Sequence, residues 1–372
     1  MVIIMIYLDY NSTTPIDKDV LDTYIKTTNN FFANSQSLHK LGIEANHMYE
    51  LSIKEIQKNL NTSHNIVFTS NATEANNIAI LGYLKRFNRG RIITTISEHP
   101  SVYQVMKKLE EKFDVVYLEL NEDGMINYKE LEDSINKDTV LVSIMWVNNV
   151  IGTVNDINKV ISILKKHPKV RLHVDTVQGV CKVEPNFSYN DIDMYTFSSH
   201  KINGPKGIGG LLYNPTMTID RLLYGSNAQY GLKPGTFDLS LVVSTAKAFK
   251  KFIPLTSVNK VKVKEVFSYA YDKLSKIEGI KINTPINNVS YYCLNFSVLG
   301  FKGETVVRHL EKDEIYVSTA SACSSKSANL ERTIYSLTKD EERAGSSIRI
   351  SFSKNTSLND IDKLIESLMR LI

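Results

Sequence analysis

The sequence predicts an α/β protein: a large domain on a mostly parallel sheet flanked by helices, followed by a smaller α+β domain. Three observations carry this. Short apolar runs alternate with amphipathic helical stretches through about the first 250 residues. The runs are nearly continuous and rich in β-branched residues, as strands buried on both faces are. Beyond about residue 250 the pattern shifts to a long helix followed by strands and helices in mixed order.

Taken in order, "MVIIMIYLDYN" opens with eight apolar residues and then an acid. That is too short for a membrane span or for a signal segment with its flanks, so it reads as a first strand. "IVFT" at 66–69 leads into the helical "EANNIAILGYLKRF", "RIITTI" at 91–96 into "SVYQVMKKLEEKF", and "VLVSIMWV" at 140–147 precedes "DINKVISILKKH". The strands "VRLHVD", "DMYTFS" and "GGLLY" follow. After them, "KVKVKEVFSYAYDKLSKI" reads as one amphipathic helix, "YYCLNFSV", "IYVS" and "SSIRISFS" as strands, and 303–311 and 358–371 as helices.

The bulk composition narrows the function. With 42% apolar and 23% charged residues the chain is an ordinary globular one. Its 44 basic and 40 acidic groups, net +4, form no block of like charge, so nothing points to direct nucleic-acid or membrane binding. Cys181, Cys293 and Cys323 lie far apart without CxxC spacing, which argues against a disulfide framework or a structural metal site and suits a reducing cytoplasm.

The strand ends carry the chemistry, since ligands of such sheets sit at the carboxyl ends of the strands. In "FTSNATEANN", Asn71 and Glu74 stand at capping-box spacing, leaving the N–H groups of Ala72 and Thr73 to face outward; such a start holds a phosphate or is a plain N-cap. "LHVDTVQ" buries Asp175, which needs a cation or several hydrogen bonds. "FSSHK" puts Lys201 at the end of a further strand, where partial desolvation frees its amine for Schiff-base chemistry. Each feature alone has an ordinary structural explanation. Together they are the three supports that pyridoxal 5'-phosphate requires: helix start for phosphate, acid for ring nitrogen, lysine for aldehyde. Ser198 and His200 would join the phosphate site, and the glycines of "GPKGIGG" let the chain reverse beneath it.

With these motifs, and with "YLDYNSTTP", "SEHPSV", "VNNVIGTV", "STASACSS" and "SSIRISFS" in the same order, the sequence resembles the cysteine desulfurases, the NifS/IscS-like branch of the class V aminotransferase superfamily. The resemblance implies the fold type I of pyridoxal-phosphate enzymes, with a seven-stranded sheet, the large domain at 14–250 and the small domain at 1–13 and 251–372. It implies that His99 stacks on the cofactor ring, that Asn149 and Gln178 face the ring hydroxyl and that Asp175 pairs with the ring nitrogen. Ala72, Thr73, Ser198 and His200 match the phosphate cradle, Lys201 the Schiff-base lysine, and Asn34 and Arg349 the residues that bind the substrate carboxylate.

Cys323 lies in "STASACSSKSANL", too poor in large apolar residues to pack as core, and so is expected on an exposed loop. Resemblance makes it the nucleophile that takes sulfur from L-cysteine as a persulfide, leaving L-alanine, and delivers it to an acceptor protein such as an iron–sulfur scaffold or a thiolation enzyme. It also implies a homodimer in which Thr236 reaches the neighbour's phosphate. Residues 225–236, "GSNAQYGLKPGT", depart from the family's usual G-G-G-Q-E-R-G-x-R-S-G-T at Ala228, Gln229, Tyr230, Lys233 and Pro234, while Gly235 and Thr236 remain. A selenocysteine lyase or an aminotransferase of the same superfamily, or a non-catalytic sulfur-transfer scaffold, are the alternatives.

Overall fold

The computed structural model describes residues 5–319 and 330–372. The chain begins with β1 (Ile6–Tyr7), α1 (Lys18–Asn30), α2 (Lys40–Leu60), β2 (Asn65–Thr69), α3 (Ala72–Leu84), β3 (Arg91–Thr95) and α4 (Pro100–Leu109). It continues through β4 (Asp114–Leu118), α5 (Tyr128–Ser134), β5 (Thr139–Met145), α6 (Ile157–Leu164), β6 (Arg171–Asp175), β7 (Met194–Ser198), β8 (Gly209–Tyr213) and α7 (Leu239–Phe252). Then follow α8 (Thr256–Ser275), β9 (Ile280–Ile282), β10 (Cys293–Val298), α9 (Gly303–Glu311) and β11 (Ile315–Tyr316). Beyond residue 330 lie α10 (Arg332–Thr338), α11 (Glu341–Gly345), β12 (Ser347–Ser351) and α12 (Leu358–Leu371).

β2 to β8 form one seven-stranded sheet in the order β2-β8-β7-β6-β5-β3-β4, parallel except for β8, which is antiparallel to both neighbours. Their continuous apolar runs follow from the pleat, because adjacent residues go to opposite faces and both faces are covered. Ile66 and Phe68 enter one core and Val67 the other; Tyr195 and Phe197 enter the first and Met194 the second. Each such side chain contributes about 1.5–3 kcal/mol by leaving water. β10 pairs antiparallel with β9 and β12, and β1 pairs parallel with β11. A third core lies here, where Leu294, Phe296, Ile348 and Ile350 meet Phe267 of α8, Leu310 of α9 and Leu364 of α12, with Ile6 and Leu8 joining them.

Two elements differ from the sequence reading. The helix beginning at Pro100 ends at Leu109 rather than running to Phe113, because Phe113 turns into the core and the chain re-enters the sheet as β4. β4 pairs with β3 alone and is only partly covered, so its run "DVVYL" has no long apolar signature. Cys181, in the apolar "QGVCKV", lies in the turn after β6 with a left-handed backbone, φ 62°.

The glycines after β7 bring β8 against the start of α3. Gly207 takes φ +82°, and a Cβ at Gly209 would lie 2.7 Å from the Asn71 carbonyl carbon and the Phe197 oxygen and 2.8 Å from the Ala72 nitrogen. A methyl there must push the strand off the helix start. Gly209→Ala is therefore expected to cost about 1–3 kcal/mol, read as a lower urea midpoint with an unchanged slope.

Candidate active site

β3, β5, β6 and β7 run parallel, so the segments leaving their carboxyl ends meet at one edge of the sheet. A cavity of about 310 Å³ lies there, lined by Ala72, Thr73, His99, Asn149, Asp175, Gln178, Ser198, His200, Lys201 and Arg349. The sequence scatters these over some 280 positions; the topology brings them together.

One wall is the start of α3. Asn71 is extended, and its Oδ1 accepts from the Glu74 N–H at 2.9 Å. Glu74 does not complete the box on Asn71; it accepts from the Ser70 N–H at 2.7 Å and pairs with Lys233. The Ala72 and Thr73 N–H groups have no partner among the described residues, as expected of a first turn. Ser198 Oγ is buried beside them without a partner. Unmet donors around a helix N-terminus can hold an anion.

From the same helix, a chain of hydrogen bonds fixes both Asp175 and His99. Asn76, fully buried on α3, accepts from Thr196 Oγ1 at 2.7 Å, so its Nδ2 faces Asp175 Oδ2 at 3.0 Å and Ser101 Oγ at 2.8 Å. Val177 N–H donates to the other Asp175 oxygen at 3.0 Å. His99 is the N-cap of α4; its Nδ1 accepts the Ser101 N–H at 3.1 Å and lies 2.8 Å from Ser101 Oγ. A nitrogen that accepts carries no proton, so the neutral ring holds its proton on Nε2. Burial lowers the His99 pKa, partly opposed by Asp175 and reinforced by Lys201. Next to it Glu98 is buried, with Oε1 accepting from Met145 N–H and Thr95 Oγ1, and burial pushes its pKa up to about 8.

The floor comes from the N-terminal segment. Lys201 Nζ donates to the carbonyls of Asn11 and Ser12. Gln178 Nε2 donates to the same Asn11 carbonyl at 3.0 Å. Arg349, 5% exposed, donates to Asp9 Oδ1 at 3.0 Å, Ser12 Oγ at 2.8 Å and the Asn149 carbonyl at 3.0 Å, while its Nε is buried without a partner. Asp9, Asn11, Ser12, Asn76 and Lys182 were not singled out from the sequence. For Asp9, Asn11 and Ser12 the one signal was the polar "DYNST" directly after an apolar run; Asn76 and Lys182 carried none.

Two expected residues lie elsewhere in the single chain. Asn34 is exposed and not part of the cavity wall; its Oδ1 caps a turn by accepting from the Gln36 N–H at 2.9 Å. Thr236 lines two shallower hollows with Gly235 and Pro234. Cys323 lies outside the described residues. In the divergent segment, Gln229 is buried and pairs with Phe68 of β2, Oε1 accepting from its N–H at 2.6 Å and Nε2 donating to its carbonyl at 3.1 Å.

The residues lining the cavity fit pyridoxal phosphate: a helix start beside the unpaired Ser198 Oγ, a buried acid and a lysine amine. Among the described residues no group of acids, histidines and cysteines is placed to hold a metal ion.

The Aminotransferase class-V family matches residues 6–364, and the chain belongs to that family. The family implies pyridoxal phosphate as cofactor. The chain is similar to the NifS/IcsS protein homolog of Lactobacillus delbrueckii subsp. bulgaricus, 36% identical over 97% of this chain and 95% of that one. It is 34% identical to the cysteine desulfurase IscS of Buchnera aphidicola subsp. Baizongia pistaciae, with 97% and 91% covered. Among solved structures, a NifS-like protein superposes with TM-score 0.92 at 30% identity over 99% of both chains. Another, described as SspA in complex with cysteine, gives 0.82 at 28% identity over 94% of this chain and 99% of that one.

Two outcomes follow for the histidines. Nitrogen NMR should find the neutral His99 ring carrying its proton on Nε2, and a titration midpoint below that of a free imidazole. Burial also holds His173 and His200 at about 4, below the unfolded value of 6.5. The unfolded chain then binds protons that the folded chain refuses, so stability is lost as pH falls from about 6.5 towards 4. Glu98 acts oppositely, withdrawing stability as pH rises from 4.5 to about 8. Urea midpoints across pH should show the acid-side fall, and His173→Gln should flatten it.

Proposed function

We propose that this protein is a pyridoxal-phosphate-dependent cysteine desulfurase that converts L-cysteine to L-alanine and keeps the sulfur as a persulfide on Cys323 for transfer to an acceptor protein. The observation that carries the reading is the convergence of the α3 start, Asp175, Lys201 and Arg349 on one cavity. Ala72, Thr73, Ser198 and His200 would hold the phosphate, Asp175 the ring nitrogen, Asn149 and Gln178 the ring oxygen, and Lys201 the aldehyde as a Schiff base. When bound, the cofactor supplies an electron sink for negative charge at the substrate's α-carbon.

The chain's own groups do the rest. Arg349 receives the substrate carboxylate, its guanidinium held in place by Asp9 and Ser12 so that little ordering remains when substrate arrives. Lys201 Nζ takes the α-proton and returns it. Asp175 keeps a proton on the ring nitrogen as charge develops, a contact that strengthens along the reaction. His99, with its proton on Nε2, faces the site as a donor. The Cys323 thiolate attacks the substrate's sulfur: a sulfur–sulfur bond forms, the carbon–sulfur bond breaks, and its electron pair stays on the β-carbon, which takes a proton. The net exchange is L-cysteine plus thiol to L-alanine plus persulfide.

Reach supports the assignment of Cys323. Ser318 lines the cavity and pairs through its backbone with Arg349, and five residues span at most roughly 17 Å. On the far side, Arg332 donates to the carbonyls of Ile96 and Glu98, next to His99, and stacks on Tyr103 at 3.5 Å. The two described cysteines carry free thiols, which suits a reducing cytoplasm. No described helix is long and apolar enough to cross a membrane. A homodimer accounts for the exposed Phe32, Leu38 and Ile43 and for Thr236 standing away from its own cavity.

The test begins with the spectrum. Reconstituted protein should absorb near ~420 nm, and L-cysteine should label Cys323 as a persulfide detectable by mass spectrometry. Cys323→Ala should keep the band and lose the persulfide; retained turnover without it would instead favour an aminotransferase or a lyase. Arg349→Lys should raise KM for cysteine by about 10–100-fold, since an ammonium cannot replace the two-pronged contact.

A further inference from the structure

The turn after β6 carries Gln178 and, four residues on, Lys182, a buried cation to which the reaction gives no part. Lys182 is 6% exposed, a position lysine seldom occupies without a charged partner. Its Nζ donates instead to two neutral amides, Gln178 Oε1 at 2.6 Å and Asn11 Oδ1 at 3.3 Å, and lies 5.8 Å from the Tyr292 ring centre. Amide oxygens compensate an ammonium poorly, and burial lowers its pKa to about 7.

Its place explains what it does. Lys201 lines both the main cavity and a second one of about 280 Å³; Gln178 lines the first, Lys182 the second. The Gln178–Lys182 contact therefore belongs to the wall between them. A protonated lysine has only donors, so below about pH 7, where Lys182 is an ammonium, Gln178 must turn Oε1 toward it and Nε2 away. One Nε2 proton goes to the Asn11 carbonyl, leaving the other for the main cavity. The orientation of the amide is thus set by chemistry rather than by shape. Asn11 also joins the two lysines, Lys182 on its side-chain oxygen and Lys201 on its carbonyl.

We propose that Lys182 is a positioning residue: it locks Gln178 as an N–H donor toward the cofactor's ring oxygen, and its charge disfavours a proton on the Lys201 nitrogen. This rests on the function proposed above. The other charged or titratable groups near Lys182 are Lys201, His200, Tyr292, the always cationic Arg349 and the thiols of Cys181 and Cys293, with Asp17, Lys18 and Lys354 lining the same second cavity. Burial raises both thiols, that of Cys293 to about 12, so neither titrates in the range concerned. His99 and His200, which line the main cavity with Lys201, both have their pKa lowered by burial, that of His200 to about 4.

The experiment compares the wild type with Lys182→Gln and Lys182→Met, each reconstituted with pyridoxal phosphate. Two quantities are read: the pH midpoint of the visible band, and the dissociation constant of pyridoxal phosphate from equilibrium dialysis. Both variants lose the charge, so both midpoints should rise by about one pH unit. Only the methionine variant loses the donor to Gln178, so its affinity should fall about tenfold below that of the glutamine variant. Midpoints unchanged in both variants, or equal affinity in the two, would overturn the proposal while leaving the desulfurase reading intact. A wild type that develops no band would remove that reading and this inference with it. The glutamine variant keeps a polar group in the buried site, so a methionine variant that fails to fold still leaves the midpoint to decide.

Discussion

The site depends on the carbonyl of Asn11. It accepts from Lys201 and from Gln178, while the Asn11 side chain accepts from Lys182 and donates to the Asn149 carbonyl at 3.4 Å, and its N–H donates to Ser351 Oγ. The residue is 4% exposed, so each of these groups must find its partner within the protein. A peptide carbonyl has two lone pairs and no charge to lose, so it holds two different side chains at any pH. Asp9 and Ser12, on either side, fix Arg349 in the same way. Because Asp9 also bridges to Ser351 at the end of β12, the segment ties the three-stranded sheet to the cavity at the edge of the seven-stranded one.

The sheet supplies the rest by geometry. Parallel strands present their carboxyl ends together, so Asp175 and Ser198, each the last residue of its strand, stand on neighbouring tracks. The antiparallel β8 interrupts this order where a close approach is wanted, with Gly209 against the first turn of α3. Electrostatics follow from placement: a carboxylate, a lysine and an arginine converge on one small volume, and burial lowers the pKa of the histidines among them.

Much of this was legible in the sequence, for a physical reason. Strands covered on both faces must be apolar throughout, so β2, β3, β5, β6, β7 and β8 announce themselves, and a polar residue at the end of such a run stands out. Asp175, Ser198, His200 and Lys201 could be found that way. β4 could not, because an edge strand covered in part carries no such run. Arg349 was recognisable only through family resemblance, since its role comes from Asp9 and Ser12, more than 300 positions away. Asn76 and Lys182 were hidden for the same reason: each looks like an ordinary helix or turn residue until its long-range partners are known.

The divergent segment around Gln229 has a consequence of another kind. β2 is an outer strand of the seven-stranded sheet, and an outer strand with free N–H and C=O groups is a template on which another chain can add by edge-to-edge pairing. Gln229 occupies both backbone groups of Phe68 with one side-chain amide, as a single rung of a missing neighbour would. A glutamate there could accept from the N–H but would set its charge against the carbonyl. At this position the amide closes one rung of the sheet's margin, and so bears on how readily another copy can add along that edge.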